Sequence, residues 1–400
     1  MKRLITIAAS LLWGAALFAQ QALGPGTGIV SPEINADNTV TFRYYNPKAV
    51  TVQVSGDFLP AQKITYVQNG QERVWEAPGR ADLVERNGLW TYTTAPLEGE
   101  LYSYTLYVDG QKMMDPSNIY QNRDIATWTN IFTVSTEEGD KGWYYQVNDV
   151  PHGNVSKVWY DSPTLGMQRR MTVYTPAGYE TNKKAKYPVL YLLHGSGGDE
   201  EAWLATGRLA EIMDNLIAEG KAEKMIVVMT NGCMAHDAAP GLSHEGMWRP
   251  YMSGSMDGTF ETMFPQVVAW VDRHYRTVAK RDARAIAGLS MGGFHTMQIS
   301  KEYPSMFDYV GLFSAAIFRG AEGVDVYANL EEKLAMQFSK APKLYWIAIG
   351  EDDFLYEDNV KYRKLLDDKG YGYVYRESEG GHTWRNWRIY ISEFAAMLFK

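Results

Sequence analysis

Five residues, Gly288 to Gly292, constrain the fold of this chain more than any other segment. They read Gly-Leu-Ser-Met-Gly and stand between a short apolar run, 283–287, and a helical stretch that Pro304 ends. A serine on so tight a strand-to-helix turn needs small neighbours, because the strand and the helix pack closely there. The segment therefore predicts a nucleophile elbow at the edge of a sheet, with Ser290 as the nucleophile.

A nucleophilic serine needs a base, and on folds with such an elbow an acid stands between the serine and the base in the chain. Two histidines follow Ser290. His295 lies on the elbow helix, with no carboxylate between it and the serine. His382 lies in a glycine-rich loop after the strand-like run 373–376, and it is the predicted base.

The acid is expected at the end of an intervening strand. The apolar run 343–349 is followed at once by Gly-Glu-Asp-Asp, which ends at residue 353. Asp353 is the predicted acid and Asp352 the alternative, since either carboxylate could instead cap a helix or lie in a solvated turn. The acid would fix the tautomer of the imidazole and stabilise its protonated form.

A second loop is expected to help hold the oxyanion. The run 187–193 predicts a buried strand and leads into His-Gly-Ser-Gly-Gly. Two backbone amides must point at the oxyanion, one from the residue after the nucleophile and one from such a loop. Met291 and Ser196 are the predicted donors, with Gly197 as the alternative to Ser196. His194 is predicted to hydrogen-bond the loop, and a phosphate-binding loop is disfavoured because the Gly-Lys-Ser/Thr ending is missing.

Strand-like and helical segments alternate through the second half of the chain, which predicts a mostly parallel sheet covered by helices on both faces. The apolar residues of one helix, at spacings of three and four from Phe264, predict a buried helix face. The predicted strands are 171–175, 187–193, 225–230, 283–287, 309–314, 343–349 and 373–376.

The first part of the chain has a different pattern. Short alternating strands separated by turn residues run from about residue 30 to residue 134, which predicts an antiparallel β-sandwich. The predicted organisation is a sandwich over 25–135, a linker over 136–157 and the α/β domain over 158–400.

Several motifs together resemble carbohydrate esterase family 1, over roughly residues 156–400. The resemblance implies an α/β-hydrolase fold without a cofactor, with Ser290 as nucleophile, Asp353 as acid and His382 as base. The family includes feruloyl and acetylxylan esterases, and enterochelin esterases are among its relatives. The motifs are His-Gly-Ser-Gly-Gly at 194–198, Gly-Leu-Ser-Met-Gly-Gly at 288–293, Gly-Glu-Asp-Asp at 350–353, Gly-His-Thr-Trp at 381–384 and the helix 264–276.

The predicted sandwich resembles a family 48 carbohydrate-binding module, which implies an immunoglobulin-like β-sandwich; the resemblance rests on the segments 54–58, 87–90, 102–110 and 115–118. The resemblance implies a carbohydrate-binding domain, and it leaves open whether the sandwich binds sugar or completes the active site. Trp75, Trp90 and Trp128 are candidate sugar-stacking side chains, although core packing is favoured for Trp90, which lies in an alternating strand.

Composition and the N-terminus limit the cellular roles. The formal net charge of −8 argues against nucleic acid as a partner. Residues 1–19 predict a signal peptide, because two basic residues precede a short apolar core and small residues stand near the cut. That core is too short for a lasting membrane span, and the absence of a cysteine at the cut argues against a lipid anchor. A secreted or periplasmic protein is expected. Cys233 is the single cysteine, so no internal disulfide can form.

The long segment 231–257 follows the end of a predicted strand and is rich in Gly, Met and Ser, which favours a substrate-facing lid. Trp248 and Met247 in this segment, and Trp384 beyond it, are the predicted substrate contacts. His236 and His244 allow a metal site as the alternative, but two histidines are a weak signal, so no metal is expected.

The sequence thus predicts an exported serine esterase of plant cell-wall polysaccharide, which most resembles feruloyl esterases that release hydroxycinnamates from arabinoxylan. Acetylxylan esterase is the alternative with the same chemistry, because the sequence does not set the size of the acyl pocket. An enterochelin-type esterase and a non-catalytic carbohydrate-binding scaffold are further alternatives. The oligomeric state is left open.

Overall fold

A computed structural model of the protein describes residues 28–68, 71–125, 127–239, 255–318 and 320–400. The predicted signal peptide lies outside these residues. The chain divides into two compact units, one of Met1–Leu97 with Thr105–Ile119 and the other of Glu98–Tyr104 with Tyr120–Lys400. The division falls inside one long strand, Glu100–Val108.

The first unit is built from antiparallel strands. Its sheet β1-β2-β8-β7 is accompanied by the strand pairs β3-β6, β4-β5 and β9-β10. Buried Phe42 of this sheet stacks on the ring of Phe58 at 5.1 Å between centroids. Trp90 is buried, and its indole N–H donates to the Asn46 carbonyl at 2.9 Å, which confirms its predicted core role. The strands are β1 (Glu33–Ile34), β2 (Val40–Tyr45), β3 (Val52–Gly56), β4 (Gln62–Gln68), β5 (Gln71–Ala77), β6 (Gly79–Asp82), β7 (Val84–Arg86), β8 (Leu89–Thr93), β9 (Glu100–Val108) and β10 (Gln111–Met113).

The second unit contains an eight-stranded sheet in the order β13-β14-β16-β15-β17-β18-β19-β20. The first two neighbouring pairs are antiparallel and the other five are parallel, so the predicted mostly parallel sheet is confirmed. Outside this sheet, β11 and β12 form a hairpin, and β12 pairs antiparallel with the start of β9. The strands of this unit are β11 (Gln121–Asp124), β12 (Thr127–Val134), β13 (Asn154–Ser162), β14 (Met167–Thr175), β15 (Val189–Leu193), β16 (Ile226–Thr230), β17 (Arg284–Leu289), β18 (Tyr309–Phe313), β19 (Leu344–Gly350) and β20 (Val374–Ser378).

Helices cover both faces of this sheet. Alternate residues of a strand face opposite sides. In β15, Tyr191 packs into one apolar cluster with helix α4, whereas Leu192 packs into another with helix α8. The helix face predicted from Phe264 is buried in the first cluster. The helices are α1 (Lys141–Tyr144), α2 (Ala202–Ala205), α3 (Leu209–Ala218), α4 (Thr259–His274), α5 (Met291–Glu302), α6 (Leu330–Ser339), α7 (Tyr356–Asp368) and α8 (Trp384–Met397). None of the described helices is long and apolar enough to cross a membrane.

The predicted linker, 136–157, differs from the structure. It contains α1, whose first turn is capped by Asp140 through a 2.6 Å hydrogen bond from the Trp143 N–H. Tyr145 follows and is buried in the apolar cluster of Leu192. The boundary predicted between residues 157 and 158 falls inside β13. The segment is therefore not an extended linker, because Asp140 caps a short helix and Tyr145 after this helix is anchored in the core.

Deleting residues 1–150 is expected to destabilise the second unit strongly. Leu101 and Tyr145 are buried in its core, and the Glu100 carboxylate accepts a 2.9 Å hydrogen bond from the buried Arg388 guanidinium. Removing one partner of a buried ion pair costs about 3–5 kcal/mol. The truncated protein should therefore lose its cooperative thermal transition. Removal of residues 1–19 alone is the control, and an unchanged thermal transition after the long deletion would contradict the expectation.

Candidate active site

Ser290 lies between β17 and α5 in a strained backbone conformation, with φ 54° and ψ −115°. A non-glycine residue adopts this region only when its surroundings hold it there. The Ser290 N–H donates to the Phe313 carbonyl at 2.9 Å, and the Ser290 carbonyl accepts from the Ala316 N–H at 3.0 Å. The first bond fixes the turn from the neighbouring strand β18, and the second fixes it from the loop that follows β18. The structure thus has the geometry of a nucleophile elbow.

Neighbouring atoms leave no room for a side chain at Gly292 or Gly293 of the elbow. A Cβ atom added to Gly292 would lie 2.5 Å from the Leu193 carbonyl oxygen, and one on Gly293 would lie 2.6 Å from the Ala315 Cβ. Contacts this short are not tolerated between backbone and side-chain atoms. The small residues therefore allow β15, β18 and α5 to approach one another around Ser290.

Asp353 and His382 meet at the end of β19. The Asp353 Oδ2 atom lies 2.8 Å from His382 Nδ1, and Oδ1 accepts the Leu355 N–H at 2.9 Å. The Asp353 side chain is fully buried, while Asp352 is exposed. The structure therefore brings Asp353, and not Asp352, to the histidine. With Nδ1 bound to the carboxylate, Nε2 is the ring nitrogen that can take a proton from a nucleophile.

Aromatic residues that the sequence did not single out surround His382. The Phe354 ring lies 4.6 Å from the imidazole, and the Trp387 ring stands perpendicular to it at 4.9 Å. The Trp387 indole N–H donates to Ser314 Oγ at 3.2 Å, next to the end of β18. Phe354 directly follows the predicted acid in the sequence, and this adjacency could have identified it. Trp387 contacts His382 because of the path of α8, and no local sequence pattern predicts that contact.

Two backbone amides beside the nucleophile are available to an anion. A Cβ on Gly195 would lie 3.2 Å from the Ser290 Cβ, so the turn after β15 adjoins the serine. Within the described ranges, no protein group accepts a hydrogen bond from the N–H of Ser196 or of Met291. Met291 begins α5, where the helix dipole also favours negative charge. The Gly197 N–H is equally unpaired among the described residues, so it remains the alternative donor.

The His194 side chain also holds the turn after β15 in place. Its Nδ1 atom donates to the Gly195 carbonyl at 2.7 Å, and its Nε2 atom accepts the Gly232 N–H at 2.8 Å. These two bonds fit only the neutral ring with its proton on Nδ1. Burial lowers the pKa of His194 from 6.5 to about 4. The prediction that His194 hydrogen-bonds the loop is confirmed.

Acidification is expected to destabilise the protein through His194. Between pH 6.5 and about 4, an unfolded histidine binds a proton that the buried one does not. The unfolded state is then favoured, which removes about 3 kcal/mol of unfolding free energy by pH 4. Between pH 7 and pH 4, the free energy of unfolding measured with urea should fall less in His194→Asn than in the wild type, and the difference should be about 3 kcal/mol. The exposed His274→Asn is the control, and equal losses in all three proteins would contradict the assignment.

The remaining predicted site residues are placed as follows. Trp248, Met247 and His244 lie outside the described residues. Trp384 packs edge-on against Trp203 and Trp387, each at 5.2 Å between ring centroids, and its contact with substrate stays a prediction. In the part of the chain that the structure describes, which includes His236, no group of three His, Cys, Asp or Glu side chains could hold a metal ion.

Comparison with known proteins identifies relatives of the second unit. The sequence profile of the Esterase family matches residues 162–398, which is more than half of the chain. The endo-1,4-beta-xylanase/feruloyl esterase of Xylanibacter ruminicola is 31% identical over 323 residues. The match covers 79% of this chain but 41% of that protein, so the chain spans less than half of this relative's length.

Solved structures share the fold. The CE1 ferulic acid esterase of Anaeromyces mucronatus matches with a TM-score of 0.53 and 24% identity, over 64% of this chain and 95% of the fungal one. The enterobactin esterase of Shigella flexneri matches with a TM-score of 0.57 and 16% identity, over 90% of this chain and 92% of its own. These likenesses confirm the predicted α/β-hydrolase fold.

Proposed function

Because the chain belongs to the Esterase family, as its resemblance to carbohydrate esterase family 1 implied, we propose that it is an exported serine esterase that releases ferulate or similar hydroxycinnamates from arabinoxylan. One observation carries the proposal. The strained Ser290 elbow and two amides that have no partner among the described residues lie together in the unit that also holds buried Asp353 and its partner His382 at the end of β19. This set of groups is what acyl transfer through a serine requires.

In the first half of the reaction, Ser290 Oγ attacks the ester carbonyl while His382 Nε2 takes the hydroxyl proton. The amides of Met291 and Ser196 then donate hydrogen bonds to the oxyanion. Asp353 keeps the Nδ1 proton in place and stabilises the imidazolium. The tetrahedral intermediate collapses when His382 returns the proton to the departing sugar oxygen.

In the second half, water attacks the acyl-enzyme and His382 again acts as the base. The new tetrahedral intermediate uses the same two amides, and its collapse releases the carboxylic acid and restores the Ser290 hydroxyl. No step calls for a metal or a cofactor. Every proton moves between the substrate, water, Ser290 and the one imidazole.

The polysaccharide substrate is supported by two observations. The relative from Xylanibacter ruminicola carries feruloyl esterase in its name and matches most of this chain. Trp128, a candidate sugar-stacking residue, is 53% exposed on β12. An exposed indole offers an apolar face on which a pyranose ring can stack. The side chain of Trp75, the third candidate, is not among those that the structure describes.

The test is to incubate the full-length protein with native wheat arabinoxylan and to measure released ferulate and acetate separately. Ferulate is expected, and Ser290→Ala is expected to release neither acid. Release of acetate without ferulate would instead assign an acetylxylan esterase. Hydrolysis of neither ester, in a protein with a normal thermal transition, would favour a non-catalytic carbohydrate-binding scaffold.

Trp128→Ala is expected to lower ferulate release from polymeric arabinoxylan about three- to tenfold and to leave kcat/KM for methyl ferulate unchanged. A stacking side chain raises the local concentration of the polymer without taking part in the chemistry. Trp159→Ala is the matched control, because Trp159 is also about half-exposed but lies on β13. Equal losses on both substrates would contradict a sugar-binding role for Trp128.

A further inference from the structure

The hairpin of β11 and β12 reaches the turn that supplies the predicted oxyanion amide. The Arg123 guanidinium at the end of β11 forms an ion pair with Asp199, and both side chains are largely buried. Arg123 also donates from Nη1 to the Ile125 carbonyl at 3.2 Å. One side chain therefore joins the tip of the hairpin to the residue that ends the turn 195–199.

The tip also packs on the turn. A Cβ atom on Gly197 would lie 2.6 Å from Ile125 Cγ2, and Gly197 has φ 78°, a conformation that favours glycine. The turn closes on itself through a 3.1 Å hydrogen bond from the Gly198 N–H to the Gly195 carbonyl. Gly195 adjoins Ser290. The turn thus contacts the hairpin through one residue and the nucleophile through another.

A second contact links the hairpin to the histidine loop. The Asp124 carboxylate lies near the Trp384 side chain; burial raises the pKa of Asp124, and the polar interaction with Trp384 opposes that shift. Trp384 packs on Trp387, which stands against the His382 ring. Arg123 therefore contacts the turn that carries the predicted oxyanion donor. The next residue, Asp124, contacts Trp384, which belongs to the aromatic cluster beside the predicted base.

We propose that the tip of this hairpin, residues 123–125, belongs to the active site, and that Arg123 is a positioning residue. Through its ion pair with Asp199 it holds the turn 195–199, and with it the Ser196 amide, where the oxyanion forms. A turn with three glycines has many accessible conformations, so an external tie is needed to select one. Displacing a catalytic group by about 1 Å can cost about a hundredfold in rate. The inference rests on the proposed esterase function.

The test compares Arg123→Met, Arg123→Lys and Asp199→Asn with the wild-type protein on 4-nitrophenyl acetate, a substrate that most serine esterases accept. Arg123→Met and Asp199→Asn are expected to lower kcat about 10- to 100-fold and to leave KM within about threefold. Arg123→Lys keeps a cation and should retain most of the activity. The matched control is Lys157→Met, which removes the neighbouring ion pair with Glu201 at the surface. Its kcat should equal that of the wild type.

Inhibition by phenylboronic acid separates positioning from a general structural role. The Ser290 oxygen adds to the boron while its proton passes to His382, which gives a tetrahedral, negatively charged boronate that uses the oxyanion amides. Its inhibition constant should rise in Arg123→Met by the same factor by which kcat falls. A purely structural residue would instead lower the melting temperature and leave the inhibition constant of the remaining folded protein unchanged. That result would overturn the proposal.

The outcomes also distinguish the two proposals. A wild-type protein that hydrolyses 4-nitrophenyl acetate but releases no ferulate would overturn the substrate assignment and leave the role of Arg123 intact. Wild-type kcat in both Arg123→Met and Asp199→Asn would overturn the role of Arg123 alone. An inert but folded wild-type protein would overturn both. If Arg123→Met fails to fold, Asp199→Asn decides the matter, because it keeps the shape of the side chain and removes its charge.

Discussion

Replacing Ser290 with alanine is expected to lower kcat for ester hydrolysis about 10⁴- to 10⁶-fold, and His382→Ala is expected to do the same. The serine forms the covalent intermediate, and the histidine moves the proton in each half of the reaction, so neither has a substitute. Removing both should cost little more than removing either one, because they act as a unit. Steady-state rates on 4-nitrophenyl acetate, with active-site titration of the wild type, measure the effect.

Matched substitutions separate lost chemistry from lost structure. Ser305→Ala and His274→Ala change exposed residues of the same types and should leave kcat within about twofold. Thermal unfolding should show all four variants folded. Substantial turnover in His382→Ala, with an unchanged melting temperature, would contradict the proposed base and direct attention to another proton acceptor.

Asp353→Asn is expected to lower kcat about 10²- to 10⁴-fold, whereas Asp352→Asn should leave it within about threefold. Asp353 is buried and lies 2.8 Å from His382 Nδ1, while Asp352 is exposed one residue earlier. An amide at position 353 can donate a hydrogen bond to Nδ1 and so favour the wrong tautomer of the ring. The comparison is well matched, because both substitutions remove one charge from the same loop.

The pH dependence gives this comparison a second readout. Without the carboxylate, the imidazolium formed during the reaction loses its stabilising partner, so the deficit of Asp353→Asn should shrink when hydroxide replaces the histidine as the base at high pH. Asp352→Asn should follow the wild-type profile throughout. Equal losses in the two variants would mean that the loop, and not one carboxylate, matters.

The contacts of the hairpin tip bear on the role of the first part of the chain. The sequence left open whether the predicted sandwich binds sugar or completes the active site. Residues 98–104 and 120–134 lie in the same compact unit as the catalytic sheet, and Leu101 is buried in its core. Arg123 and Ile125 contact the turn 195–199. A role for this segment in the chemistry is therefore compatible with a separate sugar-binding role for Trp128.

Features that depend on local spacing could be predicted from the amino-acid sequence. The glycines around Ser290, the order of Ser290, Asp353 and His382, and the apolar runs of seven strands are visible in the chain. They predicted the mostly parallel sheet, the elbow and the candidate acid and base. Local rules suffice here, because a strand-to-helix turn needs small residues at fixed positions and a buried strand needs an apolar run.

Features that depend on residues distant in the chain became visible only in the folded structure. It brought Asp353 rather than Asp352 to the histidine, because burial at the end of β19 depends on how the loop folds against its neighbours. It placed Trp387 against His382 and Arg123 against Asp199, pairs for which no sequence spacing is diagnostic. The structure also contains a helix and the start of a strand where the sequence predicted a linker. Contacts of this kind are selected by the packing of the whole unit, which local patterns do not contain.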